Sequence, residues 1–118
     1  MTARTLALAL AALAGTAEAA TFECTYTETC DEVGCSAYDA TYTFELNLKY
    51  GTGALVDTAG TFPGTYSLAG GLHHFVLVNE AGSELVTIAP SGQSYYSGHM
   101  AGEGGLIVYR LSGRCAQR

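Results

Sequence analysis

A chain of 118 residues with a formal net charge of −6 has room for one domain and lacks the clustered lysine and arginine that bind nucleic acids and anionic membranes. Its 15 glycines and 4 cysteines indicate many turns and a fold held by disulfides. The sequence contains no nucleophile elbow, zinc-protease motif, phosphate-binding glycine loop or C-x-x-C pair. We therefore predict that the protein is not an enzyme.

The N-terminal segment has the pattern of a secretory signal peptide. Arg4 precedes the apolar run Leu6–Gly15, and the small-residue stretch Ala17–Ala19 follows it. The run is shorter than the ~20 apolar residues of a membrane-spanning helix, so we expect a helical leader that is cleaved after Ala19. Residues 1–19 are predicted to be the signal peptide and residues 20–118 a single β domain. The mature chain is then periplasmic or secreted and does not insert into the membrane.

All four cysteines lie beyond the predicted leader, which in an exported chain indicates two disulfides with three possible pairings. Cys24 falls on the first predicted strand and Cys115 at the end of the last, while Cys30 and Cys35 bracket a short loop. We therefore expect the bonds Cys24–Cys115 and Cys30–Cys35. A zinc site is the alternative, but intervals of five and four residues differ from the C-x2-C pairs of structural zinc. No metal or cofactor is predicted.

Beyond the leader the hydrophobic period is two, which is typical of half-buried strands. Even positions of Tyr38–Tyr50 are apolar or aromatic and odd positions are polar, which predicts one long strand. Seven shorter runs between turns such as Pro63-Gly64 are predicted as further strands: Thr21–Thr27, Ala54–Thr58, Thr65–Ala69, Leu72–Val78, Glu84–Ala89, Gln93–His99 and Leu106–Leu111. The acidic stretch Glu28–Gly34 is expected to be an exposed loop. Eight strands at this spacing predict an all-β fold, either a small antiparallel barrel or a β-sandwich.

Charged and aromatic side chains suggest where a partner could bind. Acidic residues are concentrated in the first half of the chain, whereas Arg110, Arg114 and Arg118 close it. If the first and last strands are neighbours, these groups can pair across strands, or the acidic residues can form a surface for a basic partner. The eight tyrosines are expected in the core or at barrel ends, where they can also line a small-ligand or protein site. Adjacent His73 and His74 should point to opposite faces of a strand.

The segment Ser91–Tyr95, with the sequence S-G-Q-S-Y, resembles the serine-glycine loop of the periplasmic inhibitors of c-type lysozyme. Those inhibitors are similarly small exported β-barrels with a cysteine near each end. The chain departs from them by having two further cysteines and no Lys-Gly segment after the loop, since its single lysine is Lys49. The resemblance implies that Ser91, Ser94 and Tyr95 contact a partner.

The sequence thus predicts an exported, non-enzymatic binding module whose partner is a basic envelope protein or a small ligand. Its more specific alternative is an inhibitor of a basic envelope enzyme such as a c-type lysozyme. The composition favours neither nucleic acid nor an anionic membrane as a partner, because both require clustered positive charge.

Overall fold

A computed structural model describes residues 19–118, which form eight antiparallel strands closed into a barrel. The strands are β1 Ala19–Asp31, β2 Cys35–Asn47, β3 Thr52–Asp57, β4 Gly60–Ala69, β5 Leu72–Asn79, β6 Gly82–Ile88, β7 Gln93–Gly102 and β8 Gly105–Gln117. The predicted all-β fold is confirmed, and of its two alternatives the barrel is the correct one. Residues 1–18 of the predicted signal peptide lie outside the described residues, and Ala19 begins β1. No helix within residues 19–118 is long and apolar enough to cross a membrane.

The barrel closes between its first and last strands, and disulfides join directly opposed residues. Cys24 lies opposite Cys115 in the β1–β8 register, and Cys30 lies opposite Cys35 in the β1–β2 register. Both pairs are bonded, as predicted from the sequence. Directly opposed side chains on neighbouring strands are close enough to bond without bending the backbone, so the strand register itself selects these pairings.

Alternate residues of the strands point inward and fill the barrel. Phe44 stacks obliquely on Phe75 and on Tyr96, with ring centroids 5.8 and 6.4 Å apart. An eight-stranded barrel is just wide enough for its side chains to fill the lumen. The buried hydrophobic core comprises Phe22, Cys24, Tyr26, Phe44, Leu46, Leu55, Tyr66, Phe75, Leu77, Val86, Ile88, Tyr96 and Leu111. Binding to another molecule therefore has to use the ends or the outer wall.

Strand β1 extends further than the sequence predicts. The expectation of an exposed loop over Glu28–Gly34 is wrong for residues 28–31, which pair with β2 and β8 and leave only residues 32–34 as the turn. The register shifts between Tyr26 and Glu28, which marks a β-bulge. The bulge reverses the alternation, so Cys24 faces the interior while Cys30 faces outward, where Arg110 Nη2 lies 3.8 Å from its sulfur.

The predicted turn at Pro63-Gly64 is also wrong, because both residues lie inside β4. The chain turns earlier, where Asp57 Oδ1 accepts a hydrogen bond from Ala59 N at 2.7 Å. Gly64 serves a different purpose, since a Cβ there would lie 2.3 Å from the carbonyl oxygen of Val76. Glycine thus permits the close approach of β4 to β5.

Candidate functional site

The two ends of the barrel differ in charge. Consecutive antiparallel strands place alternate turns at the same end, so the β1–β2, β3–β4, β5–β6 and β7–β8 turns lie together. Each of these four turns includes or directly follows a carboxylate: Asp31, Glu32, Asp57, Glu80 and Glu103. We call this the acidic end. Residues of these turns contribute no lysine or arginine. The nearest cationic side chain is Arg110 of β8, which lines one cavity together with Asp31 and Glu32.

The opposite end holds most of the positive charge of the described residues: Lys49, Arg114 and Arg118. Arg118 forms an ion pair with Glu23 across the β1–β8 seam, which confirms the predicted cross-strand pairing for this arginine. Arg114 Nη2 instead donates to Ser91 O at 3.0 Å. Arg110, on the outer wall, lies over the Tyr95 ring with its guanidinium carbon 5.2 Å from the centroid.

The turn carboxylates have two different roles. Asp31 Oδ1 accepts hydrogen bonds from Val33 N at 2.8 Å and from Gly34 N at 3.1 Å, so this carboxylate stabilises its own turn. Asp57 does the same in the β3–β4 turn. The other three turn carboxylates are exposed, and their side chains form no hydrogen bond or ion pair with any residue in the range 19–118: Glu32, Glu80 and Glu103. Their charges are therefore available to a partner.

Beneath the acidic turns, tyrosines from three strands meet a half-buried carboxylate. Glu84 Oε2 on β6 accepts hydrogen bonds from Tyr96 Oη and, at 2.5 Å, from Tyr109 Oη. Tyr42 packs on Tyr96 with ring centroids 5.6 Å apart, and its hydroxyl lies 3.3 Å from that of Tyr38. We call Tyr38, Tyr42, Glu84, Tyr96 and Tyr109 the tyrosine cluster. Tyr96 also stacks on Tyr109, with ring centroids 6.3 Å apart, so the rings of the cluster are packed against one another.

Three phenols of the cluster have raised pKa values. Burial and the adjacent Glu84 carboxylate raise the pKa values of Tyr96 and Tyr109. Burial, together with the neighbouring Tyr38 hydroxyl, also raises the pKa of Tyr42. A neutral phenol can donate a hydrogen bond to a carboxylate, and this charge-assisted hydrogen bond is stronger than one between two neutral groups. At neutral pH Tyr96 and Tyr109 are therefore protonated and both donate hydrogen bonds to Glu84.

The three residues predicted to contact a partner do not converge. Ser91 is exposed in the β6–β7 turn, at the end opposite the acidic turns. Ser94 is only 1% exposed, and its Oγ lies 2.9 Å from Tyr26 Oη inside the barrel. Tyr95 points to the outer wall and is 42% exposed. Strand alternation separates Ser94 from Tyr95, so the expectation that Ser94 contacts a partner is wrong in this structure.

The burial of Ser94 leads to a stability prediction. Ser94→Ala should leave the buried Tyr26 hydroxyl without its partner and destabilise the fold by about 1 to 3 kcal/mol. Ser91→Ala, at an exposed position, should change stability by less than about 0.5 kcal/mol. Thermal unfolding followed by circular dichroism distinguishes the two variants. Equal melting temperatures would contradict the position of Ser94 in the core.

The histidines are oriented as the sequence predicts. His73 Nδ1 lies 2.6 Å from Tyr66 Oη, whereas His74 Nδ1 lies 3.4 Å from Thr87 Oγ1 on the opposite face of β5. Burial, followed by the charge of His74, lowers the pKa of His73. The pair therefore cannot chelate one ion together, and His73 is a packed residue with a satisfied ring nitrogen.

One group of possible metal ligands lies within the described residues. Glu28, Cys30 and Cys35 place their ligand atoms within 4.8 Å of one another. Both sulfurs are joined in a disulfide and are not thiolates, the form in which cysteine binds zinc. We therefore assign this group to the disulfide rather than to a metal.

Sequence reasoning did not identify Glu84, the central carboxylate of the tyrosine cluster, as a site residue. Glu84 shares its strand face with Val86 and Ile88, both of which are buried. That alternation was a usable signal for an inward-facing carboxylate that needs hydrogen-bond donors.

Comparison with protein families, curated proteins and solved structures finds no significant match to this chain. The site is thus defined by its own geometry.

Proposed function

We propose that this chain is an exported, non-enzymatic binding module that binds a basic protein through its acidic end. One observation carries the proposal: each of the four turns at that end includes or directly follows a carboxylate, while three of the four Lys and Arg side chains of residues 19–118 lie at the other end. Clustered exposed charge of one sign steers a partner of opposite sign and orients it during association.

Apolar side chains at the same end support the proposal. Val33 in the β1–β2 turn is 96% exposed, and Leu106 at the start of β8 is 70% exposed. Protein interfaces combine an apolar centre with a polar rim, and the glutamates of the turns supply such a rim here. The tyrosine cluster below holds the strands in place, which lowers the cost of ordering this surface on binding.

A c-type lysozyme is the specific candidate that the sequence resemblance suggests, and its basic character suits an acidic surface. That hypothesis combines attraction by charge with contact through the serine-glycine loop. The two features lie apart, because Ser91 is at the end opposite the acidic turns. Arg114 also donates to the carbonyl oxygen of Ser91, which adds positive charge beside that turn. If a lysozyme binds by charge, we expect the Ser91 turn to stay outside the interface.

Charge-neutralising variants test the proposal with a c-type lysozyme as the basic probe. The combined variant Glu32→Gln, Glu80→Gln and Glu103→Gln should weaken binding by about tenfold, since exposed ion pairs contribute about 0.2 to 1 kcal/mol each. Calorimetric titration at two salt concentrations should show that salt reduces the effect. Two single variants are compared. Glu103→Gln removes one charge from the acidic end, and its matched control Glu45→Gln removes one charge from an exposed position near the other end.

The controls decide the outcome. Weaker binding with Glu103→Gln and unchanged binding with Glu45→Gln support the acidic end as the interface. Equal effects of the two variants would exclude it. If lysozyme does not bind at low salt while other basic proteins do, the inhibitor alternative is wrong and the broader proposal stands. If no basic protein of a panel binds, the broader proposal is wrong too.

A further inference from the structure

The hairpin of β7 and β8 extends beyond the strand that flanks it. Pairing of β1 with β8 ends where Asp31 lies opposite Tyr109. Pairing of β7 with β8 continues to Gly102 and Gly105. Residues 106–108 of β8 therefore have β7 on one side and no strand of the described chain on the other. We call this stretch the β8 edge (Leu106–Val108).

The β8 edge presents unpaired backbone groups. Arg118 N donates to Thr21 O across the seam, so even-numbered residues of β8 turn their backbone groups toward β1. Leu106 and Val108 continue that row beyond the end of β1, whereas Ile107 faces β7. Two amide donors and two carbonyl acceptors are thus available along an exposed sheet edge, which is the arrangement that an added strand uses.

Two cavities adjoin the β8 edge. One, of about 520 Å³, is lined by residues that include Ser97, His99 and Arg110 of the outer wall. The other, of about 180 Å³, lies between the β8 edge and the Asp31–Val33 turn. Successive side chains of a strand point to opposite faces, so an added strand can direct neighbouring side chains toward different cavities.

Charge selects the occupant. Carboxylates of Glu28, Asp31, Glu32 and Glu103 lie on the elements that flank the β8 edge. They outnumber the one guanidinium there, that of Arg110, which lies over the Tyr95 ring. A second copy of this chain would bring two such sets together, and like charges opposed across strands are destabilising. We propose that the β8 edge binds an extended segment of the partner that alternates apolar with lysine or arginine side chains. This inference rests on the proposed function and specifies how the basic partner is held.

Hydrogen exchange on the intact mature chain tests the inference directly. The probe is a capped peptide of alternating lysine and valine, and its control is the same peptide N-methylated at alternate residues. Saturating peptide should slow exchange of the Leu106 and Val108 amides by at least about tenfold. The Ile107 amide, which faces β7, should be protected with or without peptide. The N-methylated peptide should bind at least about tenfold more weakly, because it lacks the donors of an added strand.

Two variants give an independent readout. Val108→Pro removes one outward amide, and proline is tolerated on sheet edges, whereas Val108→Thr keeps that amide. We expect the proline variant to bind the peptide at least about fivefold more weakly than the threonine variant. If the proline variant does not fold, the peptide pair on the unmodified chain still decides the question.

The outcomes separate the two proposals. Equal affinity for both peptides, with unchanged exchange at Leu106 and Val108, would overturn strand addition, and salt-dependent binding would still support the acidic end. Failure of the lysine-valine peptide and of every basic protein would overturn both. Equally tight binding of a glutamate-valine peptide would contradict the charge of the occupant. Protection of these amides by protein concentration alone would identify a second copy as the occupant and overturn the inference.

Discussion

Replacing Cys24 and Cys115 together by alanine should lower the melting temperature of the protein by about 20 °C or more. The bond closes a loop with a sequence separation of 91 residues, for which the chain-entropy model gives about 4 to 5 kcal/mol. Each kcal/mol corresponds to about 4 to 8 °C for a domain of this size. The bond also fixes the β1–β8 seam, where the sheet closes into a barrel.

The second disulfide provides the matched control. Cys30 and Cys35 are separated by 5 residues, and the same model gives their bond roughly 2 kcal/mol. Replacing both by alanine should lower the melting temperature by about 10 °C. Differential scanning calorimetry on the two double variants measures the contrast. An equal decrease, or a larger one for the short loop, would contradict a seam held by the long closure.

Raising the pH above 10 should unfold the chain. In the unfolded state tyrosine ionises near pH 10, whereas burial raises the pKa of Tyr26 to about 12 in the folded state. Between these values the unfolded chain has lost a proton that the folded chain keeps. The free energy of unfolding therefore falls by about 1.4 kcal/mol per pH unit for such a tyrosine. This stability is fully present below pH 10 and is lost as the pH rises toward 12.

The tyrosine cluster adds to the alkaline effect. The pKa values of Tyr42, Tyr96 and Tyr109 are also raised by burial, although partial exposure of Tyr42 and Tyr109 reduces their contributions. Absorbance at 295 nm follows ionisation and far-ultraviolet circular dichroism follows the fold. We expect part of the tyrosine absorbance change to coincide with unfolding. The variant Tyr26→Phe should make the free energy of unfolding less dependent on pH above 10. Complete ionisation of all eight tyrosines near pH 10 with an intact fold would contradict the raised pKa values.

Local sequence patterns contained most of the fold. The alternation of Tyr38–Tyr50 predicted which side chains face inward, and Phe44 and Leu46 are buried as expected. Its C-terminal boundary was wrong, because β2 ends at Asn47 and Tyr50 lies exposed in the following turn. Cysteine positions predicted both disulfides because strand pairing puts each pair directly opposite. These features depend on residues close in sequence or on the closure of the sheet.

Features that depend on tertiary contacts were not predictable from the sequence alone. The sequence predicts a turn at Gly64. In the structure, the missing side chain of Gly64 instead lets the backbone of β5 at Val76 approach closely. The bulge between Tyr26 and Glu28 is not marked in the sequence by glycine, proline or another turn residue. Because of this bulge, Cys30 faces outward. A bulge changes the alternation only through its pairing with a neighbouring strand.

The candidate site was predicted in part. The sequence predicts an acidic surface in the first half of the chain, whereas the acidic end also includes Glu80 and Glu103 from later hairpins. Glu23 of the first half instead pairs with Arg118 at the other end. The resemblance predicts that Ser91, Ser94 and Tyr95 contact a partner, whereas the structure places them in a turn, in the core and on the outer wall. Glu84 was not predictable as a site residue, because a lone carboxylate in a strand is usually solvated.

Binding at the acidic end is tested most directly by the amide spectrum of the isotopically labelled protein during titration with a c-type lysozyme at low salt. Binding at this end predicts that the amides of Glu32, Glu80 and Glu103 shift, while those of Ser91 and Arg114 at the opposite end stay unchanged. Added salt should reverse the shifts, because exposed charges are screened. Shifts confined to the Ser91 turn, or no shifts with any basic protein, would contradict a binding site at the acidic end.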